Sequence, residues 1–306
     1  MSEQIKEASG VLIVNKHAGV TSHDIVGKIR RLYGTRQVGH TGTLDPMATG
    51  VLVVLIGRAA KASEYLARDR KQYRATLRLG ITTDTEDVTG TVLTQTNKIP
   101  NEQSVMAILP QFRGKIQQIP PMYSALKVNG RKLVDLAREG VVIERQAREI
   151  EIFDLLAEPT DLASDYRLTV TCSGGTYIRT LCADIGSTLG CGGAMATLER
   201  TEACGFSIEL AHTIAELEEM TMEQRQDLLI PTEHLFDDLP LIKLSEFYER
   251  LIRNGCAVQQ KKLKCNFPAL QRVRLYDTAG TFFALGEVVE TDDGLSVKAI
   301  KTFVLT

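Results

Sequence analysis

The six cysteines of this 306-residue chain (Cys172, Cys182, Cys191, Cys204, Cys256 and Cys265) include no C-x-x-C pair. A zinc site needs closely spaced ligands, so none is indicated. The first ten residues are polar and charged and hold no apolar signal core. Without an export signal, an even cysteine count does not argue for disulfides, and reduced thiols are expected. The longest apolar run, Val51 to Ile56, is far too short to span a bilayer. There is no P-loop and no dinucleotide-binding glycine fingerprint. No internal repeat or low-complexity tract is visible. These absences predict a cytoplasmic chain with no membrane partner.

What is present is ordinary in bulk: 43% hydrophobic and 24% charged residues, with room for one large domain and a small one. The net charge of −2 hides a segregation. From Gly205 to Pro240 there are nine acids and one base, Arg225. From Phe112 to Arg148 there are eight bases and three acids, and from Arg58 to Arg78 seven bases and two acids. A polyanion responds to such local patches rather than to the total. Solvated helix faces would produce the same counts, so charge leaves both readings open.

One stretch organises the chain: Gly39-His40-Thr41-Gly42-Thr43-Leu44-Asp45-Pro46-Met47-Ala48-Thr49-Gly50-Val51-Leu52. It is a polar, glycine-punctuated loop running into an apolar strand. Asp45 is its one strong anion. Pro46 fixes its own φ and biases Asp45 towards an extended conformation, while the glycines allow close backbone approach. A lone Asp-Pro would read as a turn before a strand. Here the loop holds one carboxylate in a stiff frame beside bare backbone.

Around it, Val11 to Asn15 reads as a strand and Ile25, Ile29 and Leu32 as a helix behind caps at Thr21 to Asp24. Ala59 to Leu66 reads as a helix, Tyr73 to Leu79 as a half-buried strand by its alternation, and Thr89 to Thr94 as another strand. Gly80 to Asp87 is acidic but fits no calcium loop, which leaves a solvated or arginine-pairing loop. Gln117 to Arg148 interleaves basic and aromatic residues around an Asn129-Gly130 hairpin signal, with little to form a core. That suits a mobile RNA-gripping arm, or a plain surface excursion. Ile150 to Leu155 and Tyr166 to Cys172 read as strands. The second leads through Ser173-Gly174-Gly175 into a helix from Leu181 to Leu189. Leu198 to Arg200 starts a further strand, and the acidic segment reads as helical. Beyond Leu239-Pro240 come a helix (Ser245 to Arg253), a basic tract (Lys261-Lys262-Leu263-Lys264) and short strands. Together they read as a small β-barrel.

The organising loop closely resembles the active-site loop of the TruB family of tRNA pseudouridine synthases, G-H-x-G-x-L-D-P-x-A-x-G-x-L. Four further stretches carry the likeness: Lys71-Gln72-Tyr73 (K-x-Y), Gln118 to Arg131 (Q-x-P-P-x-Y-S-A-x-K-x-x-G-x), Cys172 to Arg179 (C-S-x-G-T-Y-I-R), and Leu198. Residues 241–306 resemble a short PUA domain, an RNA-binding barrel. One departure is visible. The family's D/N-K-P-x-G is Asn15-Lys16-His17-Ala18-Gly19 here, and losing the proline leaves a less rigid turn.

The resemblance implies an α+β pseudouridine synthase fold over residues 1–240: a mostly antiparallel mixed sheet, flanking helices and an RNA-binding thumb at about 118–148. A PUA-like barrel follows over 241–306. It implies isomerisation of the uridine at position 55 in the T-loop of tRNA, by a monomer whose partner is the tRNA T-arm. The reaction is redox-neutral and hydrolyses nothing, so no cofactor and no metal is expected. Asp45 would be the catalytic carboxylate, attacking the sugar C1′ as nucleophile or stabilising a cationic or glycal-like species. Arg179 would keep Asp45 ionised against burial. Tyr73 would stack on the extruded base. His40 would wedge into the RNA or bind a phosphate. Tyr177 and Leu198 would line the base pocket, and Lys16 would contact substrate. A guide-RNA-dependent relative and a tRNA-folding chaperone are the competing readings.

Overall fold

The computed structural model describes residues 8–66 and 70–304. The remaining residues, including the polar N-terminus and Arg68 and Asp69 of the basic stretch, lie outside the description.

In chain order, β1 (Gly10–Lys16) leads to α1 (Ser22–Leu32), β2 (Val38–His40) and β3 (Thr49–Ile56). Thr21 and Asp24 form a reciprocal capping box, which explains where α1 starts. A 3₁₀ segment, Gly57–Tyr65, stands where an α-helix was expected. Then come β4 (Lys71–Leu79), β5 (Ile81–Thr83), β6 (Val92–Gln95), α2 (Glu102–Ile108) and β7 (Gly114–Gln118). The thumb-like stretch holds β8 (Lys127–Val128), β9 (Arg131–Lys132) and α3 (Leu133–Arg138). After it run β10 (Arg148–Pro159), β11 (Asp165–Cys172), α4 (Ile178–Thr188), β12 (Gly193–Ala203) and β13 (Phe206–Ser207). The acidic segment contains two short helices, α5 (Ile214–Glu219) and α6 (Met222–Asp227), both with capping boxes.

Among the described residues, nine of these strands form one sheet ordered β1-β3-β12-β4-β11-β10-β7, with β2 on β3 and β13 on β12, while β5 pairs with β6 and β8 with β9 separately. All its pairings are antiparallel except β12 with β3. The mixed, mostly antiparallel sheet is therefore as the sequence implied. The alternation in β4 buries Tyr73, Ala75, Leu77 and Leu79 on one face, where they pack with Leu168, Val170, Leu181 and Ile185 from β11 and α4. At about 25 cal/mol per Å² of buried apolar surface, this face fixes the register of the central strands.

The C-terminal part holds β14 (Leu241–Lys243), α7 (Glu246–Arg253), β15 (Val258–Gln259), α8 (Gln260–Leu263), β16 (Arg272–Tyr276), β17 (Phe282–Thr291) and β18 (Gly294–Thr302). Its five strands run β14-β16-β17-β18-β15. The sheet is curled, and among the described residues its end strands β14 and β15 do not pair with each other, so it forms half a barrel. It has its own core around Val273, Leu275, Phe283 and Val297. A second cluster, with Phe282, Leu285 and Phe303 against Leu235, Phe236 and Ala59, joins it to the main body.

The thumb departs from expectation. Met122, Leu133 and Leu136 are buried together, with Leu126 and Ile143 against them, so this basic stretch does have a small core of its own. The hairpin signal is met, with Asn129 and Gly130 both at positive φ (52° and 81°).

Candidate active site

The loop that carries Asp45 is held from four sides. The Lys16 ammonium, at the end of β1, donates to the carbonyls of His17 (2.9 Å), Pro46 (3.2 Å) and Ala48 (2.6 Å). The Gly19 N–H donates to the same Pro46 carbonyl at 2.8 Å. Ser22 accepts from Leu44 N–H (2.9 Å) and donates back to its carbonyl. Arg200, on β12, donates through Nε to Val51 O (2.7 Å) and through Nη2 to Gly42 O (3.0 Å). Gly50 (φ +98°) lets β3 approach β12, because a Cβ there would lie 2.2 Å from the Arg200 carbonyl oxygen. Leu44 and Ala48 are buried in the core. The turn that lacks a proline is thus fixed by Lys16 and Gly19 instead. Lys16 is fully buried, under the loop rather than facing the cleft.

Arg179 meets Asp45 from the first turn of α4. Its Nε lies 3.0 Å from Oδ2 and its Nη2 3.3 Å from Oδ1. The helix begins three residues before its expected start, which puts Arg179 inside it. A cation at a helix N-terminus is electrostatically unfavourable, and here the acids offset it. Asp87 is the second of these, 3.6 Å from Arg179 Nη1. The acidic loop is therefore the arginine-pairing kind. Arg179 also donates to the carbonyls of Thr85 (3.1 Å) and Tyr123 (2.8 Å), so it binds the Asp45 loop, the acidic loop and the thumb root together. Its side chain is only 6% exposed, against 34% for Asp45. Burial pushes the Asp45 carboxyl above the usual range. Arg179 pulls it back down, Asp87 pushes it up and Lys16 pulls it down, and burial remains the largest effect. Arg179 therefore favours the ionised form, as expected, without fully cancelling desolvation.

Above Asp45 opens a cleft of ≈ 480 Å³, a size typical of small-ligand sites. Tyr73, Tyr177, Leu198, Arg179 and Arg200 line it, and the thumb supplies Tyr123 to Leu126 and Val134. Tyr73 and Arg200 stand directly opposite each other on β4 and β12. Burial raises the Tyr73 phenol, and Arg200 partly counters it. Gln118 buckles the thumb root to α4, accepting from Tyr177 N–H (2.8 Å) and donating to Tyr177 O (3.1 Å). His40 does not line the cleft. It sits half-buried on β2 with its ring edge-on to His23, centroids 5.9 Å apart. Burial, then His23 and Arg200, lower its pKa and so favour the neutral ring.

Asp45, Arg179, Tyr73, Tyr177 and Leu198 thus converge, while Lys16 and His40 stand behind or beside the loop. Sequence reasoning did not single out Asp87, Arg200 or Gln118. A fixed carboxylate, clamped by a buried guanidinium under an aromatic-lined cleft on a mixed sheet, suits a group that must face a flat ring and its sugar.

Residues 30–178 match the TruB family pseudouridylate synthase N-terminal domain, and residues 179–237 match the tRNA pseudouridylate synthase B C-terminal domain. The chain belongs to the TruB family of pseudouridylate synthases. It is 40% identical over 291 residues to tRNA pseudouridine synthase B of Clostridium tetani, covering 94% of this chain and 98% of that one. It is 42% identical over 291 residues to the protein of the same name from Pseudomonas fluorescens, covering 93% of each. Among solved structures, a chain of a Cbf5-Nop10-Gar1 complex shares the fold, with TM-score 0.74 and 23% identity over 99% of this chain and 88% of that one. No helix among the described residues is long and apolar enough to cross a membrane.

Proposed function

We propose that this chain isomerises uridine to pseudouridine in tRNA, at position 55 of the T-loop, with Asp45 as the catalytic carboxylate. The substrate class rests on relatives that bear the name tRNA pseudouridine synthase B and align over nearly their whole length. The observation that carries the reading is the Asp45–Arg179 pair at the base of a cleft lined by Tyr73, Tyr177 and Leu198.

The chemistry breaks the N1–C1′ bond, turns the base and forms the C5–C1′ bond. A proton leaves C5 and N1 ends protonated, so product and substrate have the same atoms. Attack on C1′ and stabilisation of a cationic sugar both require Asp45 ionised. The target base must leave its stack, at a cost of a few kcal/mol. Stacking on Tyr73 and Tyr177, worth about 1–3 kcal/mol per base, offsets that cost. Arg179 keeps the carboxylate charged. Lys16, buried and donating to the loop carbonyls of Pro46 and Ala48 as well as to His17 O, acts by holding the loop rather than by touching the base. His40 acts from the outer side of the loop as a wedge or phosphate contact. The thumb (about 118–148) and the unit at 241–306 grip the RNA, and the enzyme works as a cytoplasmic monomer.

The test is incubation of the purified chain with unmodified tRNA, followed by mapping of pseudouridine base by base. A single site in the T-loop, lost when that uridine is replaced by cytidine, is the expected result. Pseudouridine elsewhere, or none, would overturn the assignment.

A further inference from the structure

Arg200 is a large buried side chain, 1% exposed. A guanidinium stays charged in proteins, yet Arg200 makes no ion pair among the described residues: Asp45, the carboxylate that shares its cleft, is engaged by Arg179. An unpaired buried guanidinium costs several kcal/mol of desolvation, and such costs concentrate where chemistry is done. Two of its contacts are structural, the bonds to Val51 O and Gly42 O at the ends of the catalytic loop. The third is not. Tyr73 is the directly opposed cross-strand partner of Arg200, both side chains line the cleft, and the guanidinium is close enough to the phenol to pull against the effect of burial on it.

A guanidinium can only donate. In a hydrogen bond between the two the Tyr73 oxygen is therefore the acceptor, which leaves the single phenolic proton to point elsewhere, into the cleft. We propose that Arg200 is a positioning residue for the isomerisation: it fixes the hydrogen-bonding sense of Tyr73, so that the phenol offers its O–H to the uracil ring and cannot rotate to offer a lone pair instead. Anchoring on two backbone carbonyls gives the guanidinium one orientation, and the phenol inherits it. The fixed positive charge beside the oxygen also makes that O–H a stronger donor. A turning base needs this, because its own carbonyls are acceptors throughout.

This inference rests on the proposed isomerisation, and its test separates the two. Single-turnover pseudouridine formation at saturating tRNA, and tRNA affinity, are measured for Arg200→Lys, Arg200→Met, Tyr73→Phe and each double variant, with thermal melts on all. If the wild type forms no pseudouridine, the isomerase reading itself fails. If it does, Arg200→Met should slow the single turnover by about 10²-fold with little change in affinity. Arg200→Lys, which keeps the charge and the loop bonds in part, should recover some of that rate. In the Tyr73→Phe background, which has no phenol to orient, Arg200→Lys should cost less than about 2-fold, since coupled residues are non-additive. Equal losses in both backgrounds, or an effect on affinity and melting alone, would make Arg200 a loop anchor and nothing more.

Discussion

Replacing Arg179 by Met removes the centre of the site. Arg179 makes two contacts with Asp45 (3.0 and 3.3 Å), one with Asp87 (3.6 Å) and two with backbone carbonyls, at Thr85 and Tyr123. Its loss leaves two carboxylates facing each other across a buried gap, without the cation between them. Breaking a buried pair costs about 3–5 kcal/mol, and the low end applies because Asp45 keeps a third of its side chain open. At roughly 2–4 °C per kcal/mol, the melting temperature should fall by about 6–12 °C. The second consequence concerns pH. Asp45 is already raised by burial, and Arg179 is the strongest influence pulling it down. Without Arg179 the carboxyl stays protonated to higher pH. The proposed mechanism uses the ionised form, so the acid limb of kcat/KM is expected above the ordinary aspartate value of 3.8 in the wild type and should move further up in the variant. At neutral pH the single-turnover rate should drop by orders of magnitude, with a smaller loss of tRNA affinity. An Arg179→Met protein with wild-type melting and an unmoved acid limb, impaired only in affinity, would refute the reasoning and make Arg179 a phosphate contact.

Other perturbations separate the parts. Asp45→Asn should melt no lower than wild type at neutral pH. A carboxyl whose folded pKa is raised lowers stability as pH climbs from 3.8 through its folded value, and the amide removes that cost. A lower melt at neutral pH would show that the charged pair is net stabilising. Replacing Lys261, Lys262 and Lys264 by Ala should weaken tRNA binding and flatten its salt dependence by about 0.7–0.9 log units per lost phosphate contact, leaving the saturated single-turnover rate alone. An unchanged salt slope would remove these lysines from the RNA interface. Replacing Lys127, Arg131 and Lys132 should lower affinity and also slow that step, because the thumb walls the cleft. An effect on affinity alone would make the thumb a passive clamp. Leu136→Ala should cost about 2–5 kcal/mol, more than a core of three buried residues can absorb. Proteolysis should then open the thumb, with the main melting transition unmoved.

The elements legible in the sequence were those with strong local signals. The alternation of Tyr73 to Leu79 gave β4, the Thr21–Asp24 cap gave the start of α1, and Asn129-Gly130 gave the hairpin. Asp45 stood out because its whole frame, glycines and proline included, is contiguous. What stayed hidden depends on distant pairing. Asp87 sat in a loop suited to pair an arginine, but nothing local says that its partner lies at position 179. Arg200 looked like an ordinary strand residue. It is buried only because β12 is flanked by both β3 and β4. The thumb core was missed because Met122, Leu126, Leu133 and Leu136 are dispersed among basic residues, and only the hairpin fold gathers them. Lys16 was expected at the substrate because it stands in the early motif, Asn15 to Gly19, that carries the family resemblance. Two of the carbonyls it bonds, those of Pro46 and Ala48, come from the loop's own backbone, which side-chain patterns do not report.

The most direct measurement is pseudouridine mapping on unmodified tRNA treated with wild-type protein and with Asp45→Asn, run beside a tRNA-binding assay on both. The account predicts pseudouridine at the T-loop site with wild type, none with the variant, and nearly equal binding. Turnover above a few per cent of wild type in Asp45→Asn would contradict it.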